Sequence, residues 1–218
     1  MGKRFDLLVF DWDGTLVDSA QHIVASIQAA AHDLGLATPP EERARHIIGL
    51  GLVDAMAYLF PDLASTEYPR LAERYRHHYL AGDRDLTLFS GAFEGIQAFH
   101  AAGFALAVAT GKSRQGLDRA LETFGLRPFF LASRCADEGL SKPHPDMLHY
   151  LMSTLRAGPQ RTLMIGDTTH DLQMAENAGV AAVAVGYGAH NRASLEAQRP
   201  LACVMSFAEL ARWITENA

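Results

Sequence analysis

The sequence predicts an α/β protein: a doubly wound parallel-sheet core with an α-helical cap inserted after strand one. Three observations carry that reading. From about Leu86 onward, short apolar runs alternate with helical patterns, which implies a parallel sheet covered on both faces. One more apolar run, Phe5 to Phe10, stands apart near the N-terminus. Between the two lies a long stretch that reads as helix alone.

The elements follow in order. FDLLVF at 5–10 is short, apolar and bounded by an acidic cluster, and reads as a buried strand. A helical pattern runs from Ser19 to about Leu34, with Gly35 as its stop. Thr38, Pro39 and Pro40 open the next helix, with proline at its first position. Further helical patterns cover 51–59 and 66–80, punctuated by Pro61. Strands are then expected at Phe104–Ala109, Phe129–Ser133, Thr162–Ile165, Ala181–Val185 and Ala202–Met205. The helices expected among them are Ser113–Phe124 (closed by Gly125), Pro145–Leu155, His170–Ala178 and a last one from Phe207. The expected domains are a core of residues 1–16 and 87–218 and a cap of residues 17–86, with hinges at Thr15–Asp18 and Leu86–Gly91.

Composition bounds the function. The chain has 218 residues, 49% of them hydrophobic, which suits a core domain with a smaller insert. A formal net charge of -6 argues against general nucleic-acid binding, which needs a basic surface to displace counterions. Cys135 and Cys203 form neither a C-x-x-C pair nor a zinc spacing, and both are expected as buried free thiols in a reducing compartment. The apolar run before Asp11 is too short for a signal peptide, and no stretch approaches a membrane span, so the cytoplasm is the expected location.

In an open parallel sheet ligands bind beyond the carboxyl ends of the strands, so the residues that follow each apolar run are the candidates. After LLVF comes Asp11-Trp12-Asp13-Gly14-Thr15, after ALAVA comes Thr110-Gly111-Lys112, and after LMI comes Gly166-Asp167, with Asp171 four residues on. Ser141-Lys142-Pro143 opens the helix before the LMI strand. Topology therefore brings several carboxylates to one edge. They would repel one another unless a hard divalent cation joined them, and oxygen donors favour Mg2+. Thr110 offers a hydroxyl, Gly111 an unobstructed N–H and Lys142 a positive charge for phosphate oxygens. The chemistry suggested is phosphoryl transfer to a carboxylate.

These residues also carry a resemblance. DWDGT, Thr110, Lys142 and GDTTHD (Gly166 to Asp171) resemble, in order, the four motifs of the haloacid dehalogenase superfamily, specifically its phosphatases with a helical cap after strand one. The match spans nearly the whole chain and implies a Rossmann-like core. It implies that Asp11 becomes an aspartyl-phosphate. Asp13 would protonate the leaving alkoxide, deprotonate the attacking water and lend its backbone carbonyl to Mg2+. Thr110 and Lys142 would hold the phosphoryl group, with Lys142 also orienting Asp11. Asp167 would bind the metal, with Asp171 in support one layer out. Asp13 resembles the phosphatases and phosphomutases, because the dehalogenase and phosphonatase branches lack an aspartate there. Trp12 departs from the commoner phenylalanine, and packing is expected to accommodate it.

In the cap, Arg45-His46-Ile47-Ile48-Gly49-Leu50 resembles phosphoglycolate-phosphatase-like proteins. Arg45 is the candidate to grip a substrate carboxylate or phosphate through its planar fork, with His46, Gly49 and Gly51 also of interest. The expected substrate is a small-molecule phosphate monoester, with phosphoglycolate the leading example. Two alternatives stand beside it: a β-phosphoglucomutase-like phosphotransferase, and a phospho-accepting regulatory module.

Several strings are discounted. Thr110-Gly111-Lys112-Ser113 lacks the upstream glycine of a P-loop, because Leu106 stands there. Gly49-Leu50-Gly51 and Gly186-Tyr187-Gly188 lack a dinucleotide site's third glycine. His170 is expected to face solvent or cap a helix rather than reach the metal. His144 is expected to shape its loop, His77 and His78 to lie on a helix surface, and Met147 and Met152 to pack.

Overall fold

The computed structural model describes residues 3–218, so Met1 and Gly2 of the expected core segment lie outside the described residues. Six parallel strands form one sheet in the order β3-β2-β1-β4-β5-β6. They are β1 (Leu7–Phe10), β2 (Ala105–Thr110), β3 (Ala132–Cys135), β4 (Thr162–Gly166), β5 (Ala181–Val185) and β6 (Cys203–Val204). β1 is central, pairing Phe10 with Val108 on one side and with Ile165 on the other.

The two-residue period of a strand divides the core. Leu8 and Phe10 of β1 point into one layer with Phe99, Leu117 and Phe207, while Leu7 and Val9 point into the opposite layer with Met147, Leu151 and Met164. The first layer holds α5 (Ala92–Ala101), α6 (Arg114–Thr123) and α10 (Phe207–Asn217); the second holds α7 (Asp146–Leu155) and α8 (Thr169–Asn177). Each large apolar side chain buried this way contributes about 1.5–3 kcal/mol. Trp12 is packed in the first layer, its ring centroid 6.3 Å from Phe124 and 6.4 Å from Phe130.

Between β1 and α5 the chain forms α1 (Ala20–Asp33), α2 (Glu41–His46), α3 (Leu52–Leu59) and α4 (Tyr68–Gly82). These helices have a core of their own, built on Ile23, Val24, Ile27, Ile48, Met56 and Leu71. The two crossings between cap and core run side by side: Asp18 N–H donates to the Thr87 carbonyl (2.9 Å) and Phe89 N–H to the Leu16 carbonyl (3.0 Å).

Some elements differ from expectation. α5 was not foreseen, although Ala92, Ile96 and Phe99 mark its buried face at helical spacing. The third strand lies at Ala132–Cys135 instead of 129–133, because Arg127–Phe129 forms a short 3-10 turn first. Cys135 is buried as expected, and burial pushes its thiol up to about 12. Cys203 is only half-buried, since β6 is a two-residue edge strand. Met147 and Met152 pack in the core. Among the described residues no helix is long and apolar enough to cross a membrane.

Candidate active site

The strand ends converge as parallel topology requires. Asp11 leaves β1 with its N–H donating to the Ile165 carbonyl (2.9 Å), so it stands beside Asp167 at the end of β4. Asp11, Asp167 and Asp171 are fully buried, and one carboxylate oxygen from each lies within 4.8 Å of the others.

Each carboxylate is held by its own donors. Asp167 accepts from Thr15 Oγ1 (2.8 Å) and from Ala189 N–H (2.7 Å). Asp171 accepts from Thr168 Oγ1 (2.7 Å) within the capping box that opens α8. Lys142 Nζ spans Asp11 Oδ1 (2.7 Å) and Asp171 Oδ1 (2.6 Å), its side chain wholly enclosed. Burial alone would push the Lys142 ammonium down; the Asp11 and Asp171 carboxylates outweigh it and hold it above lysine's ordinary value.

Asp11 Oδ2 is different: it is buried and has no hydrogen-bond partner. Unpartnered buried polar atoms are costly, and they mark places where a ligand or a reaction supplies the partner. The charge count agrees. Three enclosed carboxylates face one enclosed ammonium, leaving two formal negative charges for a divalent cation to cancel. The donors here are all oxygen, so the set fits a hard ion, and Asp11 Oδ2 is the one of these carboxylate oxygens without a partner.

Proton linkage follows. Burial, with the Asp171 charge second, raises the Asp167 carboxyl from 3.8 to about 7. Burial also raises Asp11 well above its ordinary value, against the pull of Lys142. A carboxyl with a higher pKa folded than unfolded holds an extra proton in the native state between the two values. Through Asp167 the EDTA-treated protein is therefore expected to lose stability as pH climbs from about 4 to about 7, and the raised Asp11 carboxyl adds loss in the same direction. A cation replaces that proton, so magnesium should raise the melting temperature more at pH 8 than at pH 5. Its affinity should fall up to about tenfold per pH unit below 7. Equal thermal shifts at both pH values would show that no such exchange occurs.

Asp13 points elsewhere. Its carboxylate accepts from Ser19 Oγ (2.8 Å) and from Lys112 Nζ, 3.1 Å from both oxygens. Lys112 Nζ also donates to Tyr79 Oη on the cap (2.8 Å). The sequence places Lys112 in the strand-end group with Thr110 and Gly111 but assigns it no role. Its position two residues beyond a strand-end threonine was the available signal. Ser19 occupies the N-cap position of α1 without capping it, because its hydroxyl serves Asp13. Thr110 is buried at the end of β2, with Oγ1 accepting from Lys112 N–H (3.1 Å).

Glycines make the approach possible. Gly14 has φ +82°, and a Cβ there would collide with the Asp167 carboxylate. At Gly111 a Cβ would lie 2.5 Å from the Leu50 carbonyl oxygen and 2.6 Å from that of Gly49, so the cap loop sits directly on the core. Gly51 N–H donates to Ser141 Oγ (2.7 Å) across the same contact.

The cap residues divide. His46 joins His170 and His190 where cap meets core: the His46 carbonyl accepts from His170 Nε2 (2.7 Å) and His190 Nε2 (3.2 Å). His170 is thus half-buried instead of facing solvent. His190 was not foreseen, since it follows the discarded Gly186-Tyr187-Gly188 string. Burial holds both rings below histidine's ordinary value, His190 at about 4, so both are neutral donors. Arg45 is not brought to the site: its fork donates to Glu41 (2.9 Å) and Gln21 (3.1 Å). His144 Nδ1 accepts from Asp146 N–H (3.2 Å) in its loop, and His78 pairs with Asp33 between α4 and α1.

The family model described as Haloacid dehalogenase-like hydrolase matches residues 8–185, from β1 through β5. The chain belongs to the haloacid dehalogenase-like hydrolases. A relative named "Probable phosphatase IndB" from Dickeya dadantii is 37% identical over 212 residues, covering 94% of this chain and 91% of its own. One from Agrobacterium fabrum named phosphoglycolate phosphatase is 33% identical over 189 residues, covering 84% and 81%. The crystal structure of a predicted phosphatase from Clostridium acetobutylicum superposes with a TM-score of 0.86 at 25% identity, covering 97% of this chain and 99% of its own. The chain is an enzyme of this family, a haloacid dehalogenase-type phosphatase. Membership removes the regulatory-module alternative.

Proposed function

We propose that this chain is a Mg2+-dependent phosphatase that hydrolyses small-molecule phosphate monoesters through an aspartyl-phosphate on Asp11. The observation that carries the reading is Asp11 Oδ2, a buried carboxylate oxygen without a partner at the end of the central strand. In the first step that oxygen attacks phosphorus, the ester P–O bond breaks, and the departing alkoxide takes a proton from Asp13. In the second, water attacks the same phosphorus and gives its proton to Asp13. The bond to Asp11 breaks and inorganic phosphate leaves. Thr110, the Gly111 N–H and Lys142 hold the phosphoryl oxygens, and Lys142 keeps Asp11 in line through Oδ1. Asp11, Asp167 and the Asp13 backbone carbonyl would hold Mg2+, with Asp171 supporting through Lys142. When bound, the cation draws charge from the phosphate oxygens and offsets the enclosed carboxylates.

Residues 17–86 act as the cap. Asp11 and Lys142 are wholly enclosed, so the 49–51 loop lifts from Gly111 and Ser141 to admit phosphate, then recloses to exclude water. Lys112 positions Asp13 in the closed state. Lys112→Met is expected to lower kcat roughly tenfold to hundredfold while changing KM far less, with Lys112→Arg partly restoring it. An unchanged kcat would remove Lys112 from the machinery.

Phosphoglycolate comes to this chain from the name of its Agrobacterium fabrum relative. The deciding experiment is phosphate release from phosphoglycolate, p-nitrophenyl phosphate, sugar phosphates and nucleotides, with magnesium and with EDTA. Release that requires magnesium supports the reading; sugar-phosphate isomerisation without release would move it to the phosphomutase alternative.

A further inference from the structure

The cavity between cap and core encloses about 510 Å³, within the range of about 300–1,000 Å³ that houses drug-sized organic ligands. Asp13, Gly111 and Lys112 lie on its wall, so it borders the reaction centre, whose enclosed Asp11 and Lys142 lie behind that wall. The rest is mainly apolar, with Ile23, Ile27 and Leu50 alongside the rings of Tyr75 and Tyr79, whose centroids are 5.8 Å apart.

Its wall carries three charged residues of each sign. Lys112, Arg76 and Arg119 line it, and so do Asp13, Asp54 and Asp137. Lys112 is committed to Asp13 and Tyr79, Arg119 lies 3.3 Å from Asp83, and Arg76 is exposed. Among the described residues the wall therefore offers no enclosed, unpaired cation to a substrate carboxylate, and Arg45 is spent elsewhere. Burying a carboxylate there without a fresh partner is unfavourable.

The rim repeats the message. Val53, Leu80 and Leu140 are 67%, 45% and 56% exposed and all line this cavity; they are three of the eight large hydrophobic residues most exposed to solvent among those described. Apolar side chains gathered at the mouth of an apolar cavity mark a binding surface. Glycolate, with two carbons and a charge, would leave most of the space without contacts.

We propose that the leaving group is a bulky, largely apolar alcohol rather than a small carboxylate-bearing one. This rests on the phosphatase reading above and names the substrate class of that same site. The test is an n-alkyl phosphate series from methyl to hexyl, run beside phosphoglycolate with magnesium, because leaving-group basicity is nearly constant along the series. kcat/KM is expected to rise about fourfold per added methylene over several members, and hexyl phosphate should surpass phosphoglycolate. Leu80→Lys should lower the ratio of kcat/KM for hexyl phosphate to that for methyl phosphate about tenfold, and an unchanged ratio would count against the inference. A flat series with phosphoglycolate best would overturn the inference and leave the phosphatase reading standing. If no ester is hydrolysed, the phosphatase reading falls. Calorimetric affinity of Asp11→Asn for hexyl phosphate against phosphoglycolate then decides the pocket: tighter hexyl phosphate supports it, and tighter phosphoglycolate overturns it.

Discussion

Asp11→Asn is expected to lose at least about 10⁴-fold in kcat while keeping its fold. The amide is nearly isosteric and still accepts from Lys142, so the packing around β1 is undisturbed. What disappears is the anionic oxygen at Oδ2, the one enclosed carboxylate oxygen at this centre without a partner. Removing a nucleophile from a machinery that acts as a unit leaves only positioning and electrostatic stabilisation behind. The substitution also takes away one of three enclosed carboxylates. Without magnesium the variant should melt no lower than the wild type, and the stabilisation by magnesium should shrink. Phosphate release and thermal melting measure both halves. Full activity in Asp11→Asn would end the nucleophile assignment, and a large drop in melting temperature would show that Asp11 is structural.

The second large effect is Lys142→Met. Lys142 Nζ lies 2.7 Å from Asp11 and 2.6 Å from Asp171, with all three side chains enclosed. Removing one member of a buried ion pair leaves an uncompensated charge and costs about 3–5 kcal/mol. In a chain of this size that lowers the melting temperature on the order of 10 °C. The loss should be smaller at pH 5 than at pH 8, because the carboxyls that burial has raised, Asp11 and Asp167, can take up protons at the lower pH. Activity should fall by at least about 10³-fold, since Asp11 loses its orienting partner and the phosphate its enclosed cation. A melting temperature that is unchanged at pH 8 would contradict the enclosed network.

Most of the architecture was legible because the signals were local. FDLLVF reads as a short buried strand, and alternating strands and helices imply a parallel sheet. α5 was missed although Ala92, Ile96 and Phe99 announced it, since the flanking glycines Gly91 and Gly103 broke up the texture. The third strand was placed too early because Phe129 and Phe130 read as strand residues. In fact Arg127–Phe129 forms a 3-10 turn, and both rings pack against the first core layer.

Sequence by itself determined which residues the sheet brings to one edge. In a parallel sheet every strand ends on the same side, so Asp11, Thr110 and Asp167 had to meet however far apart they stand in the chain. Only the tertiary structure decided what each side chain does with its neighbours. Lys112 reaches Asp13 across 99 residues, His190 reaches the His46 carbonyl across 144, and Arg45 turns to Glu41 and Gln21 and away from the cavity. Strand topology sets the position of a backbone. Which donor a side chain finds depends on its rotamer, on the path of loops and on how the cap docks, and those follow from packing summed over the whole molecule.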